Sequence, residues 1–132
     1  ENNADAHCLK GRFYMEQMLS YEEARQHFEL ALANDINHIQ THYDFLRWAV
    51  ETNHFKLGLK LLKKAETITG ICHAKLMYCR GNLFEKQTRL KKAKNCYQKA
   101  QKMTVDASDY AFFSDELARV KSKLKSSKLS RK

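Results

Sequence analysis

The sequence predicts an all-α protein, an antiparallel helix-pair solenoid of about seven helices. The chain of 132 residues has no proline and only four glycines, whereas folds rich in β-turns need both residues at their many corners. Good helix formers such as Lys, Leu, Ala, Glu and Gln are common instead. Small residues also recur every 34 or 35 positions, a period that is typical of a repeated helix–turn–helix unit.

The small residues form three copies in register. Helices approach one another closely only where the side chains between them are small. Gly11 and Gly81 lie 70 residues apart, and Leu46 stands midway between them. Each unit is therefore expected to fold as two antiparallel helices that cross at these positions. The recurring small residues of the second helices are Ala24, Ala31, Gly58, Ala65, Ala93 and Ala100.

The register sets the boundaries of the units and of their helices. Short turns separate the two helices of each unit, and the turn of the first unit holds one extra residue. Ser20, Asn53 and Thr88 supply polar side chains at these turns, where a helix cap is expected. The expected units are residues 4–37, 38–72 and 73–107, and their expected helices are 5–18, 21–34, 39–52, 55–67, 73–87 and 90–103.

A seventh helix is expected after the third unit. Apolar residues at positions 110, 113, 117, 120 and 124 have helical spacing, and Ser108 or Asp109 is the expected N-cap. Stacked helix pairs need a final helix to cover their last apolar face. Residues 108–124 are therefore assigned as a capping helix. The basic residues 125–132 are expected to fray into a tail.

Because of these recurring small residues and their spacing, the sequence resembles the tetratricopeptide repeat (TPR) family over about residues 4–107. The best matches are residues 21–32 and 81–100, and proline is missing from the usual unit ends, at Ile36, Gly70 and Val105. The resemblance implies a right-handed superhelix whose concave groove binds a peptide or a helix of a partner protein, without catalysis. It therefore implies a scaffold or adaptor.

The register also assigns residues to the predicted groove. Arginine presents a planar fork of donors that suits carboxylates, so Arg12 and Arg47 point to an acidic peptide as the partner. In the alternative interpretation, the acids of the first unit and Asp44 neutralise both arginines within the scaffold. The predicted groove residues are Arg12, Tyr43, Arg47, Lys75, Tyr78, Asn82 and Lys86, and Cys8, Met15 and Val50 share their helix faces.

Charge favours a second function class, nucleic-acid binding. The net charge of +9 is a gradient, because residues 1–55 carry −5, residues 56–120 carry +8 and residues 121–132 carry +6. Basic stripes attract phosphates, and Tyr43 and Tyr78 are candidates for stacking RNA bases. The alternative to a protein partner is therefore RNA bound by the third repeat and the tail. The predicted basic patch is Lys91, Lys92, Lys94, Lys99, Lys102, Lys121, Lys123 and Lys125.

The sequence holds no motif for enzyme chemistry. It has neither a Gly-rich phosphate loop nor a nucleophile elbow. His38 and His42 are four residues apart but have no third metal ligand at a suitable spacing, so we expect no enzyme, no metal and no cofactor.

The four cysteines form no CxxC pair, which favours reduced thiols inside the cell, in the cytoplasm or alternatively the nucleus. No apolar run is long enough to span a membrane. The chain begins at Glu1, and we expect it to be a piece of a longer protein.

Overall fold

The computed structural model describes residues 3–130, and every regular element within them is an α-helix, which confirms the all-α prediction. The first six helices pair in chain order, and each of their ends lies within two residues of the expected position. None of the helices in the described range is both long and apolar enough to cross a membrane. The helices are α1 (Ala4–Glu16), α2 (Tyr21–Asn34), α3 (Ile39–Glu51), α4 (Phe55–Ala65), α5 (His73–Lys86), α6 (Leu90–Met103) and α7 (Ala107–Ser130).

The helices form two compact units, which divide between Ile71 and Cys72. In the first unit α1 packs on α2, and α3 packs on α1, α2 and α4. Trp48 anchors this unit, because its ring is buried, meets Phe45 edge-on and donates its Nε1–H to the Tyr21 carbonyl at 2.8 Å. In the second unit α6 packs on α5 on one side and on α7 on the other.

The three turns inside the helix pairs share one backbone geometry. Leu19, Asn53 and Thr88 each lie two residues before a second helix and have φ values of 51°, 62° and 59°. This left-handed conformation reverses the chain in few residues. The first turn spans 17–20 and the other two span 52–54 and 87–89, so the predicted extra residue of the first turn is confirmed.

Glycine and an aromatic ring fill the helix crossing in two of the three pairs. A Cβ on Gly11 would lie 2.5 Å from the Phe28 ring, and a Cβ on Gly81 would lie 2.5 Å from the Tyr97 ring. Both rings are fully buried. In the second pair Leu46 stands in place of the glycine, and Leu62 stands in place of the aromatic residue. Both leucines are buried. A larger side chain on one helix thus accompanies a smaller one on the other.

The seventh helix differs from its prediction at both ends. Asp106, instead of Ser108 or Asp109, caps the start, because its carboxylate accepts the Asp109 N–H at 2.9 Å. At the other end α7 continues to Ser130, so the expectation that the tail frays after residue 124 is wrong for residues 125–130. Residues 131–132 of the predicted tail lie outside the described residues. Lysine and leucine favour helix, and neither glycine nor proline interrupts 121–130.

Candidate functional site

The two groove arginines of the first unit are held by carboxylates of the same unit. Arg12 Nε lies 3.6 Å from Asp44, and Arg47 lies 2.6 Å from Glu16 and 3.7 Å from Asp44. The Asp44 side chain is only 6% exposed. A buried carboxylate of this kind needs the two cations as partners. This arrangement matches the alternative interpretation of the sequence, in which acids of the scaffold itself neutralise Arg12 and Arg47.

Asp44 also organises the interior around these arginines. It accepts hydrogen bonds from the Cys8 thiol at 3.3 Å and from the Gln40 amide at 3.2 Å. Burial raises the pKa of Cys8 to about 11, so this thiol keeps its proton and donates it. Cys8 and Met15 are both buried, so the expectation that they line a groove is wrong. Tyr43 is half-buried on the same helix as Arg47.

In the second unit, helix α7 covers part of the surface that was assigned to the groove. The Tyr78 ring contacts Phe112 and Phe113 of α7, with ring centroids 5.1 and 5.6 Å apart. The Tyr97 hydroxyl lies 2.6 Å from Asn82 Oδ1 and shares its single proton between that oxygen and Glu85. Tyr78 and Asn82 are therefore held by contacts within the second unit, and their assignment to a partner groove stays a prediction. The other two predicted groove residues, Lys75 and Lys86, are exposed.

A cluster of charged side chains fastens α7 to α5, and sequence reasoning missed it. Glu85 accepts hydrogen bonds from Arg119 at 2.8 Å, from Lys123 at 2.6 Å and from the Tyr97 hydroxyl at 2.8 Å. Arg119 also pairs with Glu116. Burial opposes the ionisation of Glu85, but the three donors outweigh it and lower the pKa of Glu85 to about 2. One signal was present, since Glu85 is the only acid between residues 75 and 102.

The lysines of the predicted basic patch lie on α6 and α7. Lys123 belongs to the Glu85 cluster, and Lys94 is half-buried. In the part of the chain that the structure describes, no carboxylate pairs with the α6 lysines. The second unit holds 16 basic and 5 acidic residues, so this surface is strongly positive. The exposed members of the patch are Lys91, Lys92, Lys99, Lys102, Lys121 and Lys125.

A cleft opens where the first turn of α6 meets the C-terminal part of α7, and we call it the α6–α7 cleft. Its rim carries basic side chains from both helices, and its floor is apolar. Leu90 and Leu124 form the floor and pack against the buried core of this unit. The hydroxyl-bearing residues Thr88 and Ser127 also line the cleft. The basic rim residues are Arg89, Lys91, Lys92 and Lys128.

The two histidines considered as metal ligands, His38 and His42, are hydrogen-bonded to neighbouring protein groups. His38 contacts Thr41 Oγ1 at 2.7 Å and Asp5 at 2.5 Å through its two ring nitrogens, and His42 donates to the Ile36 carbonyl at 2.7 Å. Across residues 3–130, no three His, Cys, Asp or Glu side chains are grouped so that they would hold a metal ion. None of the four cysteines, all of which the structure describes, forms a disulfide bond.

Comparison with known proteins assigns no family to the chain. No protein-family model matches it, and the search of curated proteins finds no match to its sequence. The surfaces described above are therefore the basis for a functional assignment.

Proposed function

We propose that the chain is a TPR-like interaction module that acts as a scaffold or adaptor by binding a segment of a partner protein. The observation that carries the proposal is the repeated helix pair, with the same left-handed turn and, in two pairs, the same glycine–aromatic crossing. Stacked helix pairs of this kind present extended faces that bind peptides or helices. Four cysteines without a disulfide bond support a reducing compartment inside the cell, the cytoplasm or alternatively the nucleus.

The charge of the second unit supports an acidic partner. This unit carries a net charge of +11, whereas the first unit carries −2. Two of the five acids of the second unit, Glu85 and Glu116, already lie in ion pairs with Arg119. Opposite charge speeds the encounter of two proteins and fixes their orientation. An acidic segment therefore suits this unit better than a neutral or basic one.

A display library of random peptides tests this function directly. The immobilised chain is expected to enrich peptides rich in Asp and Glu, and a purified enriched peptide is expected to bind saturably at one site in calorimetry. An unrelated protein of equal net charge serves as the control for nonspecific attraction. If the chain enriches no peptide beyond this control, the proposed function is rejected.

RNA binding is a second candidate, and the α6 lysines favour it. Because no carboxylate pairs with them in the described structure, they are available to phosphates. Tyr78 lies against Phe112 and Phe113, which weakens the earlier expectation that it stacks bases. Fluorescence anisotropy of labelled single-stranded RNA in rising salt is the test. RNA binding predicts tight association at low salt and a steep loss with added salt, and no association at low salt rejects it.

A further inference from the structure

We propose that the α6–α7 cleft is the docking site for an acidic protein segment that also carries apolar side chains. The inference rests on the proposed function and names the site and the chemistry of the partner. The cleft combines a basic rim with an apolar floor. A segment with glutamate or aspartate around a leucine-like residue matches both features, because its acids meet the rim while its apolar side chain covers the floor.

The rim cations are held in position by an aromatic ring. The Arg89 guanidinium lies 5.4 Å and the Lys92 ammonium 5.5 Å from the centre of the Phe84 ring. Cations over an aromatic face are attracted by its quadrupole. Phe84 itself packs against the buried core of the second unit. The two cations are therefore partly ordered before a partner arrives, which lowers the entropy lost on binding.

The floor is continuous with the hydrophobic core. Leu90 and Leu124 are each half-buried, and both pack on a cluster of fully buried side chains that includes Tyr97 and Val120. Their exposed surface faces the cleft between the cations. An apolar side chain from the partner removes this surface from water, and that burial adds affinity that charge alone does not supply.

The cleft is better suited to a protein segment than to nucleic acid. Single-stranded nucleic acids bind on exposed aromatic rings that stack with bases, and no aromatic residue lines the cleft. The exposed aromatic residues of α7, Tyr110 and Phe112, lie near its start. They are 12 to 14 residues from Leu124, which is about 20 Å along a helix. A leucine floor instead offers a place for an apolar side chain.

Charge reversal on the rim tests the site. The probe is a fluorescein-labelled peptide of glutamates interrupted by two leucines, and its anisotropy is measured with the full chain. Arg89→Glu combined with Lys92→Glu is expected to weaken binding by about tenfold or more, since attraction becomes repulsion at two positions. The control is Lys99→Glu combined with Lys102→Glu, which changes the net charge equally but lies outside the cleft. It is expected to weaken binding by only about twofold, through long-range attraction that salt screens.

The rim variants are not expected to disturb the fold. Arg89 is the N-cap of α6 and Lys92 lies in its first turn, where the helix dipole favours negative charge. Circular dichroism of each variant verifies helicity before binding is measured. A second probe, with both leucines replaced by serine, measures the contribution of the floor and is expected to bind more weakly.

Three results with these probes overturn the proposal. The first is equal weakening by the rim and control variants, which indicates attraction to overall charge. The second is equal affinity of the leucine and serine peptides, which means that the floor is not used. The third is a single-stranded RNA that binds more tightly than the peptide and loses affinity in the rim variants, which assigns the cleft to nucleic acid.

If library peptides bind the rim variants as well as the native chain, the cleft assignment fails while the proposed function stands. If no library peptide binds at all, the proposed function fails.

Discussion

Replacing Gly81 by alanine tests whether the glycine–aromatic crossing holds α5 against α6. The new Cβ would lie 2.5 Å from the Tyr97 ring, whereas carbon atoms in contact prefer about 3.5–4.0 Å. The ring has little room to retreat, because it is fully buried and its hydroxyl is bonded to Asn82 and Glu85. We therefore expect the two helices to separate or Tyr97 to lose its hydrogen bonds.

Two opposing effects set the magnitude of this change. Alanine in place of glycine inside a helix stabilises it by about 1 kcal/mol. Overpacking a filled core costs about 1–3 kcal/mol, and a hydrogen bond lost from Tyr97 adds about 1 kcal/mol to that cost. The overpacking cost exceeds the gain in helix propensity, because the Tyr97 ring is held both by the packing around it and by the hydrogen bonds of its hydroxyl. Gly81→Ala is therefore expected to lower the free energy of unfolding by about 1–3 kcal/mol.

Urea unfolding followed by circular dichroism measures the effect, and amide hydrogen exchange in α5 and α6 localises it. Trp48 lies in the first unit, so its fluorescence separates the two units if they unfold independently. The decisive control is the Tyr97→Leu background, in which the ring is absent. There Gly81→Ala is expected to stabilise the chain by up to about 1 kcal/mol, through helix propensity alone. A neutral or stabilising effect in the native background refutes the reasoning, and so does an equal loss in both backgrounds.

Three further predictions concern the cluster on α7, a turn and the buried carboxylate. Glu85→Gln is expected to lower the urea midpoint at pH 7, because Arg119 and Lys123 lose their charged partner. Since the pKa of Glu85 falls from 4.5 to about 2 on folding, its contribution exists above pH 4.5 and disappears as the pH falls toward 2, so the native and variant midpoints should converge in acid. Thr88→Gly is expected to raise stability by about 0.5–1 kcal/mol in thermal unfolding, because glycine adopts its φ of 59° without strain; a loss of stability contradicts this. Asp44→Ala is expected to cost about 1–3 kcal/mol, because the buried Cys8 thiol loses its acceptor and two partly exposed arginines lose a shared partner, and an unchanged urea midpoint would show that these contacts contribute nothing.

The helix pairs were predictable because the features that define them are local. Small residues at fixed spacing mark where helices cross, and the polar turn residues mark where the chain reverses. The predicted bounds of 21–34 and 90–103 are confirmed without change. The departure at Leu46 is accompanied by Leu62 at the position of Phe28 and Tyr97, and this compensation is already visible in the sequence.

The end of α7 was not predictable from apolar spacing. Beyond Leu124 the sequence offers lysines and serines with one leucine, a pattern that fits both a solvated helix and a frayed tail. Helix propensity favours continuation, and the packing of Leu124 against the core of the second unit supports the helix at this point. That packing depends on where α7 lies, which periodicity does not reveal.

The site residues depended on contacts between helices that are distant in the chain. The sequence left two interpretations of Arg12 and Arg47 open, and only the packing of α1 against α3 brings Asp44 between them. Tyr78 was assigned to a groove because its own helix has a regular register. Its cover comes from Phe112 and Phe113, more than 30 positions later, and a register does not state which face a later helix will cover.

The attachment of α7 and the positive charge of the cleft have a common origin. Glu85 is the one acid among the nine basic residues of positions 75–102, and it is bonded to Arg119, Lys123 and Tyr97. A carboxylate satisfied in this way does not pair with Arg89 or Lys92. The cluster that fastens α7 to α5 thus also occupies the one acid of this stretch, and the positive charge of the cleft rim stays unneutralised by it. Loss of Glu85 should therefore weaken peptide binding by loosening α7, even though it raises the net positive charge. A general attraction to basic surface predicts the opposite sign.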